Sequence, residues 1–309
     1  MKKKKILGER PFLPDQLDLG TIRGQWHVKR ALEVAAAGGH NILLVGPARE
    51  GSAQLARTMR TLLPATSFPS LLCEPPSGMS RQAFVGEPTR LGALTLANSG
   101  VLFLKDLDSF PSVVLTTLTQ AVETGVVSFS LEEGSVVLPA KFILVATVKP
   151  CPCGSSFDPR GSCCCSVEEI TQYRQPLKGV VQTCFALEVE VPLVEEESLG
   201  NSSEESSATI RQRVERVREI QRRRYSETTH LRVNADLLSP SEVSRHCKKV
   251  SVAEDLLSSA LRLLHLTPGE LVRVQAVART VADLDDSALI TGRHVAEAIR
   301  YLSGFVRDE

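Results

Sequence analysis

Residues Asn41 to Ala53, NILLVGPAREGSA, restrict the fold of this chain more than any other stretch. The apolar run Ile42 to Val45 reads as a buried strand, and SAQLARTMRTLLP, closed by Pro64, has the periodicity of an amphipathic helix. Between them lies a glycine loop, so strand, loop and helix form one α/β unit. The loop has the frame of a phosphate cradle, G-x-x-x-x-G-K-[ST], with Gly46 and Gly51 in place. Its chemistry differs. Ser52 stands at the lysine position and cannot supply a cation, and Ala53 stands at the hydroxyl position with no oxygen for a metal.

The rest of the chain reads as elements of the same kind. Before the loop, Val28, Leu32, Ala35 and Ala36 recur at helical spacing until a glycine pair ends the helix. After it, residues 65–90 are rich in Pro, Ser and Gly and are expected to form a long excursion outside the core. VLFL (Val101 to Leu104) predicts a strand, SVVLTTLTQAVETG a helix ended by Gly125, and VVSFSLEEGSVVLP a β-hairpin around a Glu-Glu-Gly turn. KFILVATV is a buried strand that leads to Lys149, and ALEVEVPL is a further strand. Residues 195–207, acidic and serine-rich without periodicity, are expected to be a flexible linker. Beyond them Ile210, Val214, Val217 and Ile220 begin a series of amphipathic helices. The plan is a basic tail over 1–17, an α/β core over 18–194, the linker, and a helical lid over 208–309.

The 36 basic and 36 acidic residues cancel, so there is no global field for nucleic acid or membrane. No apolar stretch is long enough to cross a bilayer, and the MKKKK start reads as a solvated tail, which together predict a soluble protein of the reducing cytoplasm. Of eight cysteines, five fall between Cys151 and Cys165. Cys151, Cys153, Cys163 and Cys165 form two C-x-C knuckles across a Gly/Pro-containing loop, a set able to converge on structural zinc. Reduced surface thiols or a labile disulfide are the alternatives. The six histidines show no metal spacing and read as structural or exposed. Arg211, Arg213, Arg216 and Arg218, with QRRRYSETTHLR (Gln221 to Arg232), make the best local basic patch, on which Tyr225 could stack a nucleic-acid base. A solvated helix face with internal ion pairs is the competing reading.

Taken in order, GQWHVKRALEVAAAGGHNILLVGP, LANSGVLFL, PAKFILVATVKPCPCG and VARTVADL resemble the AAA+ ATPases of the magnesium-chelatase I-subunit type, in their ComM/YifB-like branch. The resemblance runs from about Asp18 to about Leu302. It implies a three-layer α/β P-loop domain with a parallel sheet, a helical lid, and assembly into a ring, as a homo- or hetero-oligomer. The Lon-protease-like N-terminal domain that ComM-type proteins usually carry is expected to be absent.

Against the family pattern, the positions that carry ATP chemistry are replaced. The family loop reads GPPGTGKT where this chain reads GPAREGSA, so Arg49 fills a glycine position and Glu50 adds negative charge on the phosphate path. LFLDEL becomes LFLKDL: Lys105 stands at the magnesium-holding carboxylate, and Asp106 at the catalytic one. Lys105 is expected to pair with Asp106, Asp108 or Glu50. Lys149 replaces the sensor asparagine, Cys184 the arginine-finger candidate, and Gly269 the lid arginine. At about 3 kcal/mol of transition-state stabilisation each, two or three such losses alone remove roughly 10⁴ or more in rate. The resulting expectation is a pseudo-ATPase with a vestigial nucleotide loop, ATP and magnesium being doubtful ligands, that acts as a structural or regulatory subunit beside an active paralogue. An ATP-binding motor related to ComM-type DNA branch migration is the alternative.

Overall fold

The computed structural model describes residues 17–47, 50–64, 72–87, 90–131, 134–156, 163–192, 204–302 and 305. Most of the basic tail and residues 195–203 of the acidic stretch lie outside the described residues, as do residues 132–133 of the Glu-Glu-Gly turn.

Strands β1 (Ile42–Val45), β2 (Leu72–Cys73), β5 (Val101–Leu104), β8 (Ile143–Val148) and β9 (Leu187–Glu190) form one sheet in the order β2-β5-β8-β1-β9. Every pairing in it is parallel. β1, β5 and β8 are buried at every residue, which is why they read as apolar runs, with Thr147 of β8 the one polar residue in them: parallel strands are covered on both faces. Two small antiparallel pairs stand apart from this sheet: β3 (Gly86–Glu87) with β4 (Arg90–Leu91), and the expected hairpin of β6 (Val126–Leu131) with β7 (Gly134–Pro139).

Alternate residues of each strand face opposite layers. Ile42, Leu44, Phe103 and Val145 face one core, under helices α1 (Trp26–Gly38) and α2 (Glu50–Leu62). Leu43, Val45, Leu104 and Leu144 face the other, with α3 (Arg81–Val85), α4 (Ala93–Leu96), α5 (Ser112–Thr124) and α7 (Lys178–Cys184). Gly39 and Gly125 end α1 and α5 in the left-handed conformation that a glycine adopts without strain.

The described part of residues 65–90 is not an excursion outside the core. Leu72 belongs to the edge strand of the main sheet, and Phe84 and Val85 are buried on α3, whose N-terminus is capped by Ser80. A two-residue strand and a five-residue helix are too short to show periodicity among prolines and serines.

The C-terminal region is α8 (Ser207–Arg224), α9 (Pro240–His246), α10 (Ser251–Leu263), α11 (Pro268–Leu284) and α12 (Gly292–Arg300). Its apolar residues do not form a separate core; Val214, Val217, Val277 and Val281 belong to the same cluster as α1, α2 and one face of the sheet. Polar groups bond across this junction. Arg218 Nε and Nη2 donate to the Ala36 carbonyl at 3.0 and 2.6 Å, Gln221 Nε2 donates to that of Ala37 at 3.1 Å, and His40 Nε2 lies 2.8 Å from Thr280 Oγ1. The end of the expected flexible linker is also packed: Glu204 pairs with Lys29, Ser206 caps α8, and buried Ser207 accepts from the Leu19 amide. Its two described acidic residues have partners: Glu204 on Lys29 of α1 and Glu205 on Arg213 of α8.

Candidate functional site

The carboxyl ends of β1, β5 and β8 bring together most of the positions at which ATP chemistry was expected. Gly46 follows β1, and a Cβ there would fall 2.6 Å from the Val191 carbonyl oxygen, so the approach of the chain leaving β9 requires glycine. Arg49 and the Glu50 side chain lie outside the described residues. Gly51 sits in the first turn of α2 with open space around its Cβ position, so packing does not require glycine there. Ser52 and Ala53 are turned inward, Ala53 into the core. After β5, Asp106 adopts φ 55° and ψ 68°, left-handed for a residue with a side chain, and its amide donates to Thr147 Oγ1 of β8 at 3.0 Å. Asp108, in the next turn, is paired with Lys149, whose Nζ lies 3.2 Å from Asp108 Oδ2. Asp108 Oδ1 is buried without a hydrogen-bond partner among the described residues. One of the three partners expected for Lys105 is therefore engaged by the lysine at the sensor position.

Cys184 and Gly269 lie elsewhere. Cys184 ends α7 at the amino end of the sheet, where its carbonyl accepts from Asn41 Nδ2 at 2.8 Å and its thiol donates to Thr119 Oγ1 at 3.8 Å. Burial pushes this thiol up to about 12. Gly269 is exposed in the first turn of α11. One turn further, Arg273 Nη1 donates to the Thr183 carbonyl at 3.2 Å, which ties this end of α11 to α7.

The four cysteines of the two knuckles do converge. Cys151 Sγ lies 3.4 Å from Cys153 Sγ and 3.8 Å from Cys163 Sγ, Cys153 Sγ lies 3.6 Å from Cys163 Sγ, and all four sulfurs, Cys165 included, are within 4.8 Å of one another. A Zn–S bond of about 2.3 Å in a tetrahedron implies a sulfur–sulfur edge of about 3.8 Å, so the donor set fits a tetrahedral thiophilic ion. Cys151 is fully buried, which removes it from the surface-thiol alternative. Hydrogen bonds from the Ser155 backbone, then from the Cys151 and Cys165 thiols, lower the Cys153 thiol, while the contacts with Cys153 and Cys151 raise Cys163 and Cys165, so the sulfurs share their protons as one coupled cluster. Cys164, between the last pair, is exposed and outside the set.

Comparison with known proteins identifies the family. The profile of the family described as "Magnesium chelatase, subunit ChlI" matches residues 18–74 and 70–199, and "Magnesium chelatase, subunit ChlI C-terminal" matches residues 204–302. The chain belongs to the magnesium chelatase ChlI family. It is 36% identical over 312 residues to the competence protein ComM of Haemophilus influenzae, across 92% of this chain and 60% of that protein. To the uncharacterized protein YifB of Escherichia coli it is 34% identical over 313 residues, across 93% and 60%. The chain thus spans about three fifths of the length of these relatives.

In this ChlI-family chain the basic run on α8 is not the open patch its sequence suggests. Tyr225 is only 2% exposed, and its hydroxyl donates to Asn234 Oδ1 at 2.7 Å, so it cannot stack on a base. Arg218 is half-buried and bonded to the Ala36 carbonyl of α1, Arg213 pairs with Glu33 and Glu205, and Arg216 with Asp286. Arg224 forms a bidentate pair with Asp283. Arg222 and Arg223, 74% and 78% exposed, both pair with Glu219. Sequence reasoning missed the buried network this creates, in which Asp283 also accepts from Arg279 Nε at 3.0 Å and Asn234 Nδ2 at 2.9 Å. The signal was present: Arg279 and Asp283 are one helical turn apart inside the otherwise apolar VARTVADL. Also missed was a cavity of about 680 Å³ between α1, β9 and α12, lined by charges of both signs including Arg30, Glu188, Asp285 and Glu297. No helix among the described residues is long and apolar enough to cross a membrane.

Proposed function

We propose that this AAA+ chain is a pseudo-ATPase: a non-hydrolysing subunit with a structural or regulatory task, assembled in a ring with an active paralogue. The observation that carries the reading is the Lys149–Asp108 ion pair at the carboxyl edge of the sheet. A hydrolysing site needs a polar sensor and carboxylates directed at phosphate and magnesium. Here the sensor position holds an ammonium that is neutralised by a neighbouring carboxylate, while Ser52 and Ala53 are buried in α2. The same reading assigns a structural Zn²⁺ to Cys151, Cys153, Cys163 and Cys165, where it would supply cross-linking of two chain segments rather than reactivity.

One observation favours the alternative of an ATP-driven motor. Asp106 keeps a carboxylate at the catalytic position, and Thr147 holds its backbone in place. Titrating the purified chain with labelled ATP and magnesium decides between the two. The expected result is no phosphate release above a protein-free blank; steady turnover that disappears in Asp106→Asn would overturn the pseudo-ATPase reading and establish the motor.

A further inference from the structure

We infer that a thiophilic divalent cation of the Zn²⁺ class, bound by Cys151, Cys153, Cys163 and Cys165, is the staple that holds helix α6 (Val167–Arg174) against the carboxyl edge of the sheet, and that through α6 it keeps Lys149 engaged with Asp108. The inference rests on the four-thiolate assignment above and gives that metal a task.

The case begins with how α6 is held. None of its residues is fully buried, and Tyr173, half-buried against the apolar core, is its contact with that core, so the hydrophobic effect fixes α6 less than it does the larger helices, and isolated helices shorter than about 12–15 residues are marginal in water. Both ends are nevertheless fastened. At the amino end, Ser166 follows directly on Cys165 and forms a capping box with Glu169. At the carboxyl end, the Tyr173 hydroxyl donates to the Lys149 carbonyl at 3.2 Å, and Arg174 Nε and Nη2 donate to the Pro150 carbonyl at 3.2 and 2.9 Å. The Arg174 guanidinium also lies 5.1 Å from the centre of the Phe305 ring.

These contacts close on themselves. The chain leaves β8 through Lys149 and Pro150, enters the first C-x-C knuckle, reappears at the second, continues into α6, and returns through Tyr173 and Arg174 to Lys149 and Pro150. Among the described residues the two knuckles meet through their cysteine sulfurs, which contact one another and accept from nearby backbone amides. Neutral thiols are weak hydrogen-bond donors and acceptors, and thiolates repel one another, so neither form holds the step firmly without a cation. A tetrahedral ion converts it into four strong bonds.

Lys149 is gripped by this assembly. Its Nζ reaches Asp108 Oδ2 while lying 5.9 Å from the centre of the Tyr173 ring, and a Cβ on Gly154 of the first knuckle would sit 3.8 Å from the lysine's Cγ and Cδ. Removing the metal frees α6, withdraws Tyr173 and releases the lysine stem. The knuckle then acts as a metal-dependent lock on the edge of the sheet where the family's nucleotide chemistry was expected.

The test uses the full chain. Loading with Zn²⁺, or with Co²⁺ for its thiolate-to-metal absorption, is expected to give one equivalent per chain, and Cys153→Ser or Cys165→Ser, away from the buried Cys151, to weaken it. Hydrogen exchange of the amides of residues 167–174 is expected to accelerate about tenfold or more on chelation and to recover when Zn²⁺ is restored. Acylation of Lys149, read by peptide mass against exposed Lys141, is expected to rise in parallel. Absence of stoichiometric metal would overturn the four-thiolate assignment and the inference with it. One equivalent of metal whose removal leaves both α6 exchange and Lys149 reactivity unchanged would leave the assignment standing and overturn the staple.

Discussion

Two glycines frame the loop that organises this chain, and only Gly46 is demanded by space. Alanine there drives its Cβ toward the Val191 carbonyl, a backbone atom that cannot rotate away, whereas Gly51 is helical with an open Cβ position. Gly46→Ala is therefore expected to lose about 1–3 kcal/mol, and Gly51→Ala to change stability by less than about 1 kcal/mol, in the stabilising direction; urea melts of the two variants give the comparison. At this scale the sequence was informative where a residue's role depends on its near neighbours. The C-x-C spacing announced the thiol cluster, and the strand endings located Lys105 and Lys149. It misled where the partner is remote: Tyr225 reads as an exposed aromatic in an arginine run until Asn234 takes its hydroxyl, and Arg218 as a surface charge until the Ala36 carbonyl receives it.

Among the elements, the central strands were legible because burial on both faces makes their sequences apolar at every position but Thr147. β2 was not, since an edge strand of two residues owes its existence to pairing with β5 rather than to its own composition. Helix α11 falls within the series of amphipathic helices that the periodicity predicts, but its polar interior is not legible in that pattern. Asp283 receives both Arg224 and Arg279, with Asn234 as a further donor. Asp283→Ala leaves two guanidinium groups without their carboxylate in a dry junction, and is expected to destabilise the chain by about 3–5 kcal/mol, measured by urea denaturation. Replacing Arg222 and Arg223, which point outward, serves as the control and is expected to stay within about 0.5 kcal/mol.

For the molecule as a whole, the shared core alters what the term lid conveys. A helical domain on a flexible tether would melt independently of the α/β part. Here α8 and α11 lie on α1 with a common apolar interior and several buried bonds, so calorimetry and far-ultraviolet circular dichroism are expected to report one coincident transition; two resolved transitions would refute the shared core. The same arrangement has a consequence for synthesis. Ala36 waits for Arg218, 182 residues further along the chain, and at about 5–20 residues per second the ribosome delivers that partner roughly 10 to 40 s later. Throughout that interval the apolar back of α1 has no cover, so the nascent chain is a natural client for chaperones before its own C-terminal helices arrive.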